Sequence, residues 1–132
     1  MDWTLEVVVV PVTDVERAVR FYTDKVGFSL DFGTSTPAMR LVQLTPRGSA
    51  CSISLGTVRP SGIEVGAQPG SIKGLQLVVS DIEPARSELI ARGVDVTEVQ
   101  RIDPRDGGAF MHFSDPDGNG WTIEEICARA TA

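Results

Sequence analysis

This chain is poor in the residues that build histidine or thiolate sites. Its 132 residues include a single histidine and two cysteines, Cys51 and Cys127, whose spacing is not that of a metal site. One histidine severely limits any metal site made of imidazoles. The sequence also has no Gly-rich phosphate loop, no nucleophile elbow and no Cys–His pair. We interpret both cysteines as small hydrophobic side chains in strands of a protein from a reducing compartment.

Basic residues and long apolar runs are also scarce. Lys and Arg number 12 against 18 Asp and Glu, which gives a formal net charge of -6. Because nucleic acids and anionic membranes require a basic surface, we expect neither as a partner. No apolar run approaches the roughly 18 residues of a membrane span, and the first residues lack the basic region of a signal peptide. We therefore expect a cytoplasmic protein, and a small-molecule ligand stays open.

An internal repeat organises the chain. When Val7–Lys25 is placed over Gly74–Arg92, each copy shows an apolar strand run, then a hydroxyl residue, Asp, an aliphatic residue and Glu. The hydroxyl and the Glu match a capping box, although Asp81 is the better N-cap in the second copy because a proline follows in the first turn. Apolar residues then recur at helical spacing, and each helix is expected to stop at a glycine, Gly27 or Gly93.

Each predicted helix leads into a hairpin whose turn, TPRGS or DPDGN, contains Pro and Gly. The hairpin strands are predicted at 39–44, 50–55, 109–114 and 120–126. Residues 29–32 and 94–99 are each expected to add one short strand. The sequence therefore predicts an α+β fold of two tandem βαβββ modules.

The predicted modules form one domain over residues 1–132. The first module covers about 1–56 and the second about 72–127. The connection at 57–71 is rich in Gly, Pro and Ser, which is typical of a loop. We expect no independent domains, because a half of this size would need to pair its sheet with the other half.

Two segments, VTDVERAVRFYTDKVGF and FSDPDGNGWTIEE, resemble the vicinal oxygen chelate superfamily of glyoxalases, bleomycin resistance proteins and extradiol dioxygenases. The resemblance covers nearly the whole chain and agrees with the paired modules. It implies a curved mixed sheet that forms a cup, with helices on the outer face, and a homodimer. Both motifs are architectural, so they indicate the fold and leave the reaction open.

Enzymes of this family usually hold one divalent metal with His or Glu side chains from four sheet positions. The resemblance places these positions at Val7, Ser52, Gly74 and Thr122. Valine and glycine offer no donor atom, and two neutral hydroxyls alone would not hold a transition metal. We therefore predict that no metal and no other cofactor is bound.

Strand alternation predicts the side chains of the cup, with Trp121 and Ile123 on the core face of the last strand. The predicted ligand-binding residues are Val7, Val9, Ser52, Ser54, Gly74, Gln76, Thr122 and Gln43. Glu124 and His112 are the candidate catalytic residues, as acid–base groups. The alternative for both is an ordinary strand residue that is solvated or hydrogen-bonded.

Three functions are compatible with these residues, and whether the protein is an enzyme stays open. The first is a glyoxalase-like or bleomycin-resistance-like module that binds a small, partly apolar organic molecule without metal. The second is a metal-independent isomerase, lyase or cyclase that uses Glu124, with or without His112. The third, a metal-dependent glyoxalase-type lyase or dioxygenase, is disfavoured because the four positions lack ligands.

Overall fold

The structure, a computed structural model, describes residues 1–35, 40–56, 67–101 and 108–126. Its elements in chain order are β1 (Val7–Val10), α1 (Val15–Arg20) with a π-helical continuation (Phe21–Val26), β2 (Ser29–Ser35), β3 (Arg40–Thr45), β4 (Ser52–Leu55), β5 (Leu75–Val79), α2 (Ile82–Ala91), β6 (Gln100–Arg101), β7 (Ala109–Ser114) and β8 (Gly120–Glu125). The strands form two four-stranded mixed sheets, ordered β1-β4-β3-β2 and β5-β8-β7-β6. The pairs β1–β4 and β5–β8 are parallel, and the other strand pairs are antiparallel. The predicted α+β fold of two βαβββ modules is confirmed.

Contacts divide the chain into two compact units. Unit 1 contains Met1–Ile72 and the short turn Asp115–Asn119, and unit 2 contains Lys73–Ser114 and the strand that begins at Gly120. Each unit therefore holds one sheet and one helix. The turn that joins β7 to β8 belongs to unit 1, which the repeat in the sequence does not indicate.

Helix α1 covers the core of unit 1 with the apolar stripe that its sequence predicts. Asp14 is the N-cap and accepts a hydrogen bond from the backbone N–H of Arg17 (3.1 Å). Ala18 and Tyr22 are fully buried, and α1 contacts β3 and β4. The helix ends at Gly27, whose φ of 91° lies in the left-handed region that glycine adopts without steric cost.

Polar groups of the turn Asp115–Asn119 satisfy buried partners in unit 1. The carboxylate of Asp115 accepts from the Tyr22 hydroxyl (2.8 Å) and from the side-chain amide of Asn119 (2.8 Å). Asn119 also donates to the carbonyl of Pro11 (2.8 Å), and Asp117 accepts from the Thr13 hydroxyl (2.6 Å). Thr13 is therefore bonded to this turn and does not cap α1.

Helix α2 begins after Asp81, the N-cap that the sequence favours, but its first turn is capped differently from the predicted capping box. Asp81 is the N-cap residue, but its side chain makes no capping hydrogen bond. The backbone N–H of Ile82 instead donates to the carboxylate of Glu125 on β8 (2.9 Å). Ile82 and Leu89 are the buried residues of this helix, and they face the core that β7 and β8 supply.

The short strand expected at 94–99 is wrong in position, because β6 begins at Gln100. Val94 and Val96 are nevertheless buried. The backbone N–H of Thr97 donates to the carbonyl of His112 (2.9 Å), and His112 donates its own N–H to the Thr97 hydroxyl (2.9 Å). Since a side-chain oxygen replaces a backbone acceptor, a regular ladder does not form there.

Membrane-spanning helices are not found among the described ranges, in which no helix is long and apolar enough to cross a bilayer.

Candidate functional site

In unit 1 the candidate residues share one side of the sheet, which we call the unit 1 polar face. It consists of Val7, Val9, Gln43, Thr45, Ser52 and Ser54. Val7 lies opposite Ser52, and Ser54 lies between Val9 and Gln43. These residues alternate with the buried core residues of β3 and β4, so they occupy the other side of the sheet. Sequence alternation therefore brings the unit 1 candidates together.

A chain of hydrogen bonds crosses this face and ends at a carboxylate. The Thr45 hydroxyl donates to Asp31, and the oxygens of Thr45 and Ser52 lie 2.6 Å apart. Gln43 donates its amide to the same carboxylate oxygen of Asp31 (3.4 Å). Because Thr45 has one proton and an ionised Asp31 can only accept, Ser52 must be the donor to Thr45. The Ser52 oxygen therefore keeps acceptor capacity for a further group.

Ser54 is the exception on this face. Its side chain is fully buried, and its hydroxyl has no hydrogen-bond partner in the part of the chain that the structure describes. A buried hydroxyl without a partner costs about 1–3 kcal/mol, and such groups in proteins usually have a functional or solvent partner. Ser54 therefore has hydrogen-bonding capacity that no described residue uses.

In unit 2 the candidate residues again share one side of the sheet, the unit 2 polar face. It consists of Gln76, Val78, Phe110, His112, Thr122 and Glu124. These residues form two rows across β5, β8 and β7: Gln76–Thr122–His112 and Val78–Glu124–Phe110. Gly74 lies just before β5 and is exposed, and Gln76 is the residue that lies opposite Thr122.

Glu124 is held by Gln76 on the neighbouring strand. The Gln76 side-chain N–H donates to one carboxylate oxygen, Oε2 of Glu124. Glu124 is half-buried, whereas Gln76 is exposed. The other carboxylate oxygen of Glu124, Oε1, has no partner among the described residues, so it is open to a ligand or to water.

His112 is tied to the same face by two neighbours. Its ring Nδ1 lies 3.0 Å from the hydroxyl of Thr122 on β8. Its backbone N–H donates to the hydroxyl of Thr97. The imidazole is exposed, and Nε2 has no partner among the described residues. The Thr122 hydroxyl can donate or accept, so the tautomer follows from whichever group binds Nε2.

Three residues of the two faces, Thr45, Val78 and Phe110, and the carboxylate partner Asp31 escape sequence-based prediction. Phe110 and Val78 could have been found by extending the alternation from His112 and Gln76 along their strands. Asp31 had no such signal, because it lies at a register shift between Leu30 and Phe32 where alternation breaks down.

The residues at the four family metal positions do not fit a divalent metal. Val7 and Gly74 have no donor atom, and the hydroxyls of Ser52 and Thr122 are already bonded to Thr45 and His112. Among the described residues, no group of three or more His, Cys, Asp or Glu side chains could hold a metal ion. We therefore derive no chemical step through a metal.

Several solved structures are similar to this chain over almost its whole length. An antibiotic binding protein, TnmS3, from Streptomyces sp. CB03234 is 31% identical, with 95% of this chain and 97% of that chain covered and a TM-score of 0.79. A glyoxalase/bleomycin resistance protein from the same organism is 32% identical, with coverage of 92% and 100% and a TM-score of 0.76. A superfamily member from Sphaerobacter thermophilus DSM 20745 is 33% identical, with coverage of 94% and 98% and a TM-score of 0.77. None of the curated proteins matches the chain.

A family model agrees with these structures and with the motifs around the first helix and the last hairpin. The model of the Glyoxalase/Bleomycin resistance protein/Dioxygenase superfamily matches residues 4–123. This range covers the first βαβββ module, the second module as far as Ile123 in β8, and all ten candidate residues except Glu124. The chain belongs to the glyoxalase/bleomycin resistance protein/dioxygenase superfamily.

Proposed function

We propose that this protein binds a small, partly apolar organic molecule through its polar sheet faces, and that it does so without a metal ion. The similar protein from Streptomyces sp. CB03234 is described as antibiotic binding, and 31% identity over 95% of this chain supports a comparable role here. An antibiotic or a similar natural product is therefore the ligand class that we favour.

One observation carries the proposal: the hydroxyls at the family's metal positions are engaged in hydrogen bonds within the sheets. Ser52 bonds to Thr45, and Thr122 bonds to His112. Such faces offer neutral donors and acceptors beside aliphatic surface, as small-molecule sites usually do. The Ser54 hydroxyl, buried and without a partner among the described residues, adds one donor where a ligand reaches it.

A binding screen with and without metal tests the proposed function. The full chain, treated with a chelator and then dialysed, would be titrated with antibiotics of several chemical classes, bleomycin included, by calorimetry. We expect at least one ligand whose affinity is the same in chelated and metal-supplemented protein. Ser52→Ala and Ser54→Ala should weaken that ligand, while Ser87→Ala on the exposed side of α2 should not. A screen without any binder, or one tightly held divalent ion per chain, would refute the proposal.

A metal-independent enzyme is the second candidate, and the Gln76–Glu124 pair favours it. A carboxylate that a neighbour holds in one orientation is suited to accept and return a proton from a bound substrate. Glu124→Gln should then abolish turnover of a substrate found by activity screening and leave folding and binding intact. Unchanged turnover would remove Glu124 from this role. We rank a metal-dependent lyase or dioxygenase last, for want of donor side chains.

The homodimer and the cytoplasmic location stay predictions. The molar mass of the purified protein by light scattering tests the first, and fractionation of the producing cells tests the second. No ligand contact proposed above depends on either outcome, because each contact lies within one sheet.

A further inference from the structure

The unit 2 polar face places a carboxylate between an aromatic and an aliphatic side chain. Glu124 lies opposite Val78 on β5 and opposite Phe110 on β7. Strands β7 and β8 are antiparallel, and directly opposed residues of such a pair have Cβ atoms about 4.5–5.5 Å apart, so one ligand group can touch both Glu124 and Phe110. Val78 is 46% exposed, so its apolar surface is available to a ligand.

The hydrogen bond from Gln76 determines which polar atoms this face presents. Because the Gln76 side-chain N–H donates to Glu124, the carbonyl oxygen Oε1 of Gln76 takes no part in that bond and keeps its capacity as an acceptor. Glu124 keeps Oε1 as a second acceptor. The pair therefore presents acceptors, and it suits a ligand group that donates hydrogen bonds.

The charge of Glu124 is not compensated within the described part of the chain. No Lys, Arg or His among those residues forms an ion pair with it, and the amide of Gln76 is neutral. Glu125, on the opposite side of the same strand, differs, since it meets Arg101 (3.6 Å) and the N–H of Ile82 (2.9 Å). The free negative charge of this face is thus at Glu124.

We propose that the unit 2 polar face binds the protonated amine of an organic ligand, an inference that rests on the proposed function. The ammonium group donates to Glu124 and to the carbonyl oxygen of Gln76, and it contacts the ring of Phe110. The apolar body of the ligand lies on Val78. Phe110 is then a specificity-determining residue, because its ring favours a cation over a neutral polar group.

Three benzyl compounds that differ in their polar group test the amine site on the full chain at neutral pH. Benzylamine carries a charge and N–H donors, benzyltrimethylammonium carries the charge alone, and benzyl alcohol carries neither charge nor N–H. Titration followed by amide chemical shifts gives both affinity and location. We expect benzylamine to bind about tenfold more tightly than benzyl alcohol, with benzyltrimethylammonium between them, since a charge-assisted hydrogen bond contributes about this much. The shifts should centre on Glu124 and Phe110.

Two variants and one control separate charge from shape. Glu124→Gln removes the charge and keeps the size, so benzylamine should lose its preference while benzyl alcohol binds within about twofold of its original affinity. Phe110→Leu keeps apolar area and removes the ring, so both cations should weaken by about threefold. Glu98→Gln, an exposed carboxylate of the same unit, should leave all three affinities unchanged.

The proposed amine site would be refuted if benzyl alcohol bound as tightly as benzylamine, or if benzylamine showed no binding at any concentration up to its solubility limit. It would also be refuted if Glu124→Gln weakened the binding of both probes equally. The wild-type comparison alone decides the matter should a variant fail to fold. The proposed function is tested independently of the amine site. It is supported if the antibiotic screen gives a metal-independent ligand of any charge, and it is refuted if that screen gives none.

Discussion

The carboxylate of Glu125 on β8 accepts a hydrogen bond from the backbone N–H of Ile82 (2.9 Å), so a strand of the sheet caps the second helix. The two residues are 43 positions apart in sequence. A helix start whose partner comes from a distant strand forms only when the sheet has formed. The Asp14 cap of α1, by contrast, bonds to Arg17 three residues away and is available locally.

Removing the distant cap should therefore destabilise the protein more than removing the residue at the N-cap position. We expect Glu125→Ala to lower the free energy of unfolding by about 1–2 kcal/mol, because an N–H at the helix start loses its acceptor. Asp81→Ala should cost clearly less, since the Asp81 side chain makes no capping bond. Urea denaturation measures both. Equal losses in the two variants would contradict the assigned cap.

Ser54→Ala should stabilise the ligand-free protein. The hydroxyl is buried without a partner among the described residues, so no hydrogen bond offsets its desolvation. Deleting it should therefore raise the free energy of unfolding by about 1 kcal/mol. The neighbouring change Ser52→Ala is the control, because it breaks the bond to Thr45 and should lower the same quantity by about 1 kcal/mol. If both changes destabilise alike, the Ser54 hydroxyl has a partner in solution.

Gly70→Ala should be among the most damaging small changes in unit 1. Gly70 has a φ of 82°, and an added Cβ would collide with the carbonyl oxygen of Asp117. We expect a loss of about 3 kcal/mol or more from strain and collision together. Gly48→Ala is a matched control, because Gly48 has a φ of 84° and open space around it. It should cost about 1–2 kcal/mol, the backbone penalty alone. Thermal unfolding of both variants checks this difference.

Added divalent metal should leave the protein unchanged. Because the hydroxyls of Ser52 and Thr122 are engaged and Val7 has no donor, we expect an excess of Mn²⁺ or Zn²⁺ to shift neither the Tm nor the affinity for an antibiotic found in the screen. Calorimetric titration of metal into chelator-treated protein is the direct measurement. A single saturable site with a matching rise in Tm would show that other residues bind metal.

Local patterns in the sequence predicted most elements. The boundaries of β7 match the predicted 109–114, and the stripe from Val15 to Val26 is the side of the first helix that packs on the sheet. Both follow from periodicity within one segment, which the side-chain pattern alone determines. The alternation at Trp121 to Glu124 likewise assigned core and polar sides correctly.

What the sequence did not predict depends on partners far along the chain. The strand expected at 94–99 gives way to a side-chain bond between Thr97 and His112, and the register shift near Asp31 brings a carboxylate to Thr45. Neither contact has a signal in its own segment, because each depends on which strands come together. The Asp115–Asn119 turn shows the same limit, since its sequence predicts a reversal and not its partners.

The allocation of that turn limits how the chain can be divided. Three residues of the second module's hairpin turn, Asp115, Asp117 and Asn119, form hydrogen bonds with Tyr22, Thr13 and Pro11 in unit 1. A fragment cut at residue 72 would leave the Tyr22 hydroxyl without the acceptor that it has in the whole chain. Although the sequence repeats itself, its two halves are not interchangeable building blocks, because replacing the second half would also remove the turn Asp115–Asn119 from unit 1.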